Sequence, residues 1–386
     1  MTTTPSAPAK KKATFNTLTV SEVRALTEDS VEVSFAIPPE LQDDYDYIPG
    51  QYVALRATID GQEVRRSYSI CDVPRDGILR VAIKRDRGGV FSTWANDTLQ
   101  PGDTMDVMNP QGAFTSKTHL TGLNNPEAVR EELEKLENPH LVAIAAGSGI
   151  TPIMAIAQTV LHTSPDTTFE LIFANKGGGD VMFAEEIGDL KDKFPTRFAV
   201  HHVLSREQRV NPLFSGRIDA EKLQTLLDNV VRTDNVDEWF LCGPFELVQL
   251  VRDELANREV GEKDVRYELF TTGKPSGDQN QAGRHVEVDP EGDNITINFQ
   301  LDGLSGSVES PVSANESLLN AALRVRSDVP FACAGGVCGT CRAKLVEGEV
   351  DMAENYALEA DEVKAGYILT CQSRPTTPTI VLDFDA

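Results

Sequence analysis

Four cysteines near the carboxyl end, Cys333, Cys338, Cys341 and Cys371, have the type and spacing to do chemistry. The first three stand C-x4-C-x2-C in CAGGVCGTC, and the fourth follows in LTCQS. This is the plant-type spacing in which four thiolates hold a [2Fe-2S] cluster, a centre that moves single electrons. Gly335, Gly336 and Gly339 suit that reading, because glycine lets the backbone wrap closely with φ > 0 and aim N–H groups at cluster sulfurs. Structural zinc is the competing reading, but zinc sites pair two short knuckles, and Cys371 has no close cysteine partner in sequence. A disulfide framework is disfavoured, since only six cysteines occur in 386 residues and the opening MTTTPSAPAKKK has no apolar signal core. The expected compartment is a reducing, cytoplasmic one.

These ligands need elements to position them. ITINFQLDG running into GSVES reads as a hairpin, SLLNAALRVR as a helix and TIVLDF as a closing strand, giving a small domain over residues 286–386. Residues 13–114 read as strands with short turns, from FNTLTVSEVRAL through LRVAIKR, and suggest a small antiparallel barrel. From Leu141 the rhythm becomes strand then helix: LVAIAAG, TFELIFAN, RFAVHHVLS and EWFLCG each precede a helical stretch, which implies a doubly wound, mostly parallel sheet over 115–270. TTGKPSGDQNQAGR, within 271–285, reads as a flexible linker, and residues 1–12 as a disordered tail.

Two further sites lie on these elements. Arg66, Ser67, Tyr68 and Ser69 follow one another on a strand, so Arg66 and Tyr68 share one face and Ser67 and Ser69 the other. An aromatic ring with an arginine and hydroxyls beside it can stack on a flavin and neutralise its phosphates, although an ordinary exposed strand pair has the same composition. Gly88 to Trp94, GGVFSTW, opens a helix whose first N–H groups suit a phosphate; simple capping by Ser92 or Thr93 is the alternative. In the α/β segment, LVAIAAG runs into Gly147, Ser148, Gly149, Ile150, Thr151 and Pro152, where glycine permits close approach to a pyrophosphate, Thr151 can cap and Pro152 suits a first helical turn. Pro152 stands where the Rossmann fingerprint has its third glycine, so the stretch departs from that motif. Cys242, Gly243 and Pro244 end a later strand at the same carboxyl edge, where ligands of such sheets bind; Cys242 as a small buried apolar residue is the alternative.

Composition bounds the partners. The chain carries 60 acidic against 36 basic residues, a formal charge of −24, which argues against a nucleic-acid partner. No apolar run is long enough to span a membrane, because LVAIAAGSGITPIMAIAQTVL is interrupted by Gly147, Gly149 and Pro152. From His285 to Ala386 there are 17 Asp and Glu against six Lys and Arg, a balance of 6 − 17 = −11. Such a field steers an electron-delivering end towards a basic patch on an acceptor.

In this order and spacing, R-S-Y-S, G-S-G-I-T-P and C-G-P resemble the ferredoxin-NADP+ reductase superfamily, with a plant-type ferredoxin domain of β-grasp fold fused behind it. CAGGVCGTCRAKL and MAENYALEADEVKAGYILTCQSRP resemble, within it, the reductases that serve phenylacetyl-CoA epoxidases and 3-ketosteroid 9α-hydroxylases. The resemblance implies that Arg66 contacts the phosphates of an FAD, that Tyr68 stacks near its ring with Ser67 alongside, and that Ser69 approaches the reactive nitrogen. It places Gly89, Phe91, Ser92 and Thr93 at the FAD pyrophosphate, and Glu268 and Phe270 beside the flavin. It places Gly147, Ser148, Gly149, Thr151 and Pro152, with Cys242, Gly243 and Pro244, around NADPH or NADH, Cys242 nearest the hydride-donating carbon. Tyr68, Ser69 and Cys242 are then the catalytic candidates.

Electrons are expected to pass from NAD(P)H through FAD and the [2Fe-2S] cluster to a multi-subunit di-iron oxygenase. A steroid hydroxylase or Rieske dioxygenase is the alternative acceptor, and a zinc- and nucleotide-binding regulatory module the alternative of another class. Lys176 and Arg206, after the second and third strands of the parallel sheet, favour the 2′-phosphate and hence NADPH. Residues 117–138 depart from the family pattern as an acidic, helical insertion, and FANKGGGD departs from its usual polar sequence after the second strand.

Overall fold

The computed structural model describes residues 14–270 except 76, 87, 113, 118–125, 137, 232 and 234. Beyond these it describes the backbone of Thr271, residue 286, and residues 292–386 except 302, 327–328, 332–335, 337–338, 356 and 359. The tail 1–12, almost all of the linker, and Cys333 and Cys338 therefore lie outside the described residues. The chain divides after Phe270 into two compact units.

In the first unit, strands β1 (Phe15–Thr27), β2 (Ser30–Ala36), β3 (Tyr52–Ile59), β4 (Gln62–Ser69), β5 (Ile78–Lys84) and β6 (Thr104–Met108) form one six-stranded sheet, ordered β4-β3-β6-β1-β2-β5. Neighbouring strands pair antiparallel, and an isolated bridge from Ile70 to Val81 brings the end of β4 back towards β5. Alternation explains the curl. Leu18 and Val20 of β1 face inward while Thr17 and Thr19 face water, and the inward sides of every strand meet in one apolar core. Helix α1 (Val90–Asp97) plugs that core with Phe91 and Ala95.

The same unit continues through helix α2 (Pro126–Glu134) into a five-stranded sheet. Its strands are β7 (His140–Ala146), β8 (Thr168–Asn175), β9 (Phe198–Leu204), β10 (Glu238–Pro244) and β11 (Val265–Thr271), ordered β11-β10-β7-β8-β9. β10, β7, β8 and β9 run parallel, with helices α3 (Ile150–Thr163), α4 (Ala184–Lys193), α5 (Ala220–Asn229) and α6 (Phe245–Asn257) between them. β7 is apolar on both sides because helices cover both faces, as a central parallel strand requires. Within the expected insertion, α2 is an integral core element: Val129 and Leu133, four residues apart and fully buried, pack with α3.

The second unit pairs β12 (Asn294–Leu301) with β13 (Leu304–Pro311) as a hairpin, and β12 lies parallel to β18 (Thr379–Asp383). β14 (Arg342–Glu347) and β16 (Tyr367–Leu369) complete a sheet ordered β13-β12-β18-β14-β16, while β15 (Val350–Met352) and β17 (Ser373–Pro375) form a separate pair. Helices α7 (Leu318–Leu323) and α8 (Ala360–Lys364) accompany them, α7 burying Leu318, Leu319, Ala321 and Ala322 in the core with Cys341 and Cys371. Among the described residues no helix is long and apolar enough to cross a membrane.

Candidate functional site

The stretch from Gly147 to Pro152 turns the carboxyl end of β7 into α3. Residues 147–149 make one 3-10 turn, and Gly149 caps α3 without side-chain help. Thr151 does not cap; its hydroxyl donates to the Ser148 carbonyl at 3.0 Å and the side chain is buried. What Gly149 provides is room. A Cβ there would lie 2.2 Å from the Cys242 carbonyl oxygen and 2.9 Å from the Gly243 nitrogen, so the G-S-G-I-T-P and C-G-P loops touch backbone to backbone. Cys242 is fully buried at the end of β10, and burial, then the nearby Glu268 carboxyl, push its thiol well above the usual range. It therefore stays a neutral thiol, a small packing group at the sheet edge and not an ionised nucleophile.

Tyr68 lies on β4 with its ring against Phe91 of α1, centroids 5.7 Å apart, and Phe91 in turn meets Trp94 edge-on at 5.6 Å. Burial and the Asp86 carboxylate raise the phenol far above its ordinary value, with Arg66 opposing, so the ring presents a neutral face. Arg66 itself donates from Nη1 to the Arg65 carbonyl at 2.6 Å. Phe91 is 1% exposed and Ser92 4% exposed. Ser92 Oγ accepts the Asp86 N–H at 3.0 Å, and Gly89 is the cap of α1 without a side-chain bond. The alternative of a simple cap by Ser92 or Thr93 does not hold, since Ser92 anchors the preceding loop instead, and Phe91 packs in the barrel core. The N–H groups from Val90 to Ser92 lie at that helical start, where an anion can be met.

Between these two places stands Glu268 on β11. Ser69 Oγ, at the end of β4, donates to Glu268 Oε2 at 3.2 Å, joining the barrel to the parallel sheet. Glu268 is half-buried as a residue, but its carboxyl is enclosed, and desolvation pushes it up to about 7 while the Ser69 bond pulls the other way. A carboxyl poised there is half protonated near neutral pH and can hold or release a proton at Oε. Phe270, two residues on, packs against the apolar core that contains Cys242. Ser67 Oγ is buried without a hydrogen-bond partner among the described residues, an orphan that a flavin edge would satisfy.

Lys176 and Arg206 come together at the carboxyl edge, where the Arg206 N–H donates to the Lys176 carbonyl at 2.8 Å and both residues are exposed. In the second unit, Cys341 and Cys371 are buried in one core. Thr370 ties them: its N–H at 3.1 Å and its hydroxyl at 2.9 Å both donate to the Cys341 carbonyl. Gln372 Nε2 reaches Cys371 Sγ at 3.7 Å. Gly336, with φ of 80°, leaves no spare room beside Gln372, since a Cβ would lie 3.0 Å from its Cγ. Two buried cysteines with a sulfur-directed amide and a close-wrapping glycine fit a [2Fe-2S] ligand set. Thr370 and Gln372 were not singled out by the sequence, although their positions flanking Cys371 carried the signal.

Comparison with known proteins is consistent with this geometry. An oxidoreductase FAD-binding domain matches residues 17–116, an oxidoreductase NAD-binding domain residues 143–253, and a 2Fe-2S iron-sulfur cluster binding domain residues 301–376. The chain is 40% identical over 373 residues to a subunit of the 1,2-phenylacetyl-CoA epoxidase of Escherichia coli K12, covering 97% of this chain and 98% of the relative. It is 33% identical to the ferredoxin reductase component of 3-ketosteroid-9-alpha-monooxygenase from Rhodococcus rhodochrous, covering 95% and 96%. Among solved structures, phthalate dioxygenase reductase shares the fold with a TM-score of 0.56 at 21% identity, covering 96% and 98%.

Proposed function

The chain belongs to the family of NAD(P)H-dependent flavin and iron-sulfur reductases that feed electrons to oxygenases, and from that premise we propose that its acceptor is the multi-subunit di-iron oxygenase of phenylacetyl-CoA epoxidation. The 40% identity to an epoxidase component over nearly the whole chain supports this acceptor over a steroid hydroxylase. When bound, FAD and the [2Fe-2S] centre supply the conversion of a two-electron hydride into single-electron transfers. The observation that carries the reading is the meeting of Ser69, Glu268, Cys242 and Gly149 where the barrel abuts the parallel sheet.

Each residue then has a task. Arg66 neutralises FAD phosphate, Tyr68 offers its neutral ring to the flavin, Ser67 and Ser69 bond the flavin edge, and the backbone from Gly89 to Thr93 receives the pyrophosphate. The Gly147 to Pro152 turn and Cys242 to Pro244 cradle the nicotinamide nucleotide, and the buried Cys242 keeps water from the hydride path. Phe270 flanks the site, and Cys333, Cys338, Cys341 and Cys371 hold the cluster. The acidic cluster-bearing segment attracts a basic face of the oxygenase, in the cytoplasm. Purified protein should show flavin and iron-sulfur absorption and, with the epoxidase subunits, drive NADPH-dependent epoxidation of phenylacetyl-CoA. Colourless protein with stoichiometric zinc overturns the reductase reading, and turnover only with a steroid or Rieske oxygenase overturns the acceptor.

Glu268 gives the site a pH signature. Because its folded value of about 7 exceeds the ordinary 4.5, the folded chain binds more protons than the unfolded one between those limits. The contribution of this group to stability is greatest below that window and is lost as pH rises through about 7. NADPH oxidation by the wild type is expected to show an inflection near pH 7 that Glu268→Gln lacks, together with a smaller loss of thermal stability from pH 5 to pH 8. Identical profiles for both proteins would remove Glu268 from the proton path.

NADPH is the proposed donor. The side chains of Lys176 and Arg206 spring from hydrogen-bonded neighbours, which suits a 2′-phosphate. Replacing both by alanine should cut kcat/KM for NADPH about tenfold or more and leave NADH within about twofold. A wild type that prefers NADH contradicts this choice.

A further inference from the structure

β9 is the outermost strand of the parallel sheet, paired with β8 and, at its last residue Leu204, by an isolated parallel bridge to Ser215. Along it lies a cavity of about 310 Å³, walled by α4 on one side and the segment after β9 on the other. His201 and His202, adjacent on the strand, project to opposite faces, so the cavity wraps the sheet edge. The His201 ring stacks on Phe214 at 6.2 Å and 8°, while His202 lies 5.9 Å from Phe173 on the core side. Lys191 of α4 and Arg209 of the loop after β9 complete the lining, and among the described residues neither makes an ion pair.

In a chain of net charge −24, uncompensated cations converging on one cavity are unusual. Their convergence is felt by the histidines. Burial first, then Arg209 and Lys191, hold His202 below its ordinary value; burial and Lys191 do the same to His201 against the opposing Glu170. His201 Nε2 and His202 Nδ1 are shut off from solvent with no hydrogen-bond partner among the described residues, a cost that native structures normally relieve. An anion seated between Lys191 and Arg209 would cancel the repulsion.

We propose that this cavity binds a small phosphoryl-bearing molecule, its anionic group between Arg209 and Lys191 and its apolar body against Ile187, Val200 and Phe214. A guanidinium and an ammonium together suit a dianionic oxygen cluster. The cavity lining shares no residue with the proposed nucleotide site, which runs from the carboxyl ends of β7 and β10 to Lys176 and Arg206 after β8 and β9, and its assignment does not rest on the reductase reading.

The test is calorimetric titration of the full holoprotein with phenyl phosphate and with inorganic phosphate at fixed ionic strength, with and without saturating NADP+. Saturable binding is expected, tighter for phenyl phosphate and unchanged by NADP+. Arg209→Gln and Lys191→Gln should each weaken it about tenfold while thermal stability and NADPH oxidation stay at wild-type levels, since both side chains are exposed. Heat no different from chloride, displacement by NADP+, or affinity unmoved in both variants would overturn the site. Equal affinity for the two phosphates would overturn the apolar body.

Discussion

Cys341→Ser is expected to abolish electron delivery to the oxygenase, or to cytochrome c, by at least about 100-fold while leaving NADPH-driven reduction of ferricyanide largely in place. The reasoning is geometric. Cys341 is 2% exposed, and its carbonyl takes two hydrogen bonds from Thr370, whose chain neighbour is Cys371. A serine hydroxyl there has neither the softness nor the acidity of a thiolate, so the ligand set falls to three. The first unit has its own cores, so its nicotinamide and flavin chemistry should survive. Visible absorption and iron content report the loss directly. Gln372→Leu separates ligation from tuning: it removes the amide aimed at Cys371 Sγ, so the cluster should assemble with a more negative reduction potential. A Cys341→Ser protein with wild-type iron and acceptor rates would contradict the four-cysteine assignment.

Gly149→Ala should be the most damaging single methyl in the first unit. Gly149 has φ of −60° and ψ of −8°, which any residue adopts, so the effect is not one of backbone preference. It is steric. The added carbon would sit 2.2 Å from the Cys242 oxygen and 2.5 Å from its carbonyl carbon, and both atoms belong to a buried backbone that cannot rotate away. Relief requires β10 to separate from the start of α3, which opens the cleft proposed for the nicotinamide. A stability loss of about 3 kcal/mol, the upper part of the usual range for overpacking, is expected. The stabilising shift in Tm on adding NADP+ should also vanish. Gly188→Ala in α4 is the control, because a Cβ there meets nothing within 4 Å and alanine favours helix; it should be neutral or stabilising by up to about 1 kcal/mol. Equal behaviour of the two variants would mean that the loops do not need their close contact.

Much of this architecture is legible in the order of residues alone, because its signals are short-range. C-x4-C-x2-C is written within nine residues, the strand-helix rhythm from Leu141 within single elements, and the turn at Gly147 to Pro152 within six positions. Periodicity is less informative about α2, whose acidic sequence reads as an insertion until Val129 and Leu133 are seen to be buried against α3. GGVFSTW likewise reads as either a phosphate site or a simple capped start, and the fold decides against the cap, taking Phe91 for the barrel core and Ser92 to bind the Asp86 N–H. In both cases the local sequence leaves two faces open and packing chooses one.

Local pattern was thus enough to name the ligand set proposed for the cluster, to divide the chain into barrel, parallel sheet and cysteine-bearing domain, and to mark the loops at which nucleotides meet such sheets. Which of those residues meet was settled by the fold. Ser69 and Glu268 are 199 positions apart, and no local pattern pairs them; the pair exists because the end of β4 abuts β11. The Gly149 contact with Cys242 exists because β7 and β10 are parallel neighbours, and the cationic cavity because β9 is left at the sheet edge. Such contacts depend on long chain closures that only the burial of many apolar side chains can stabilise, so they follow from the folded core and not from any single motif.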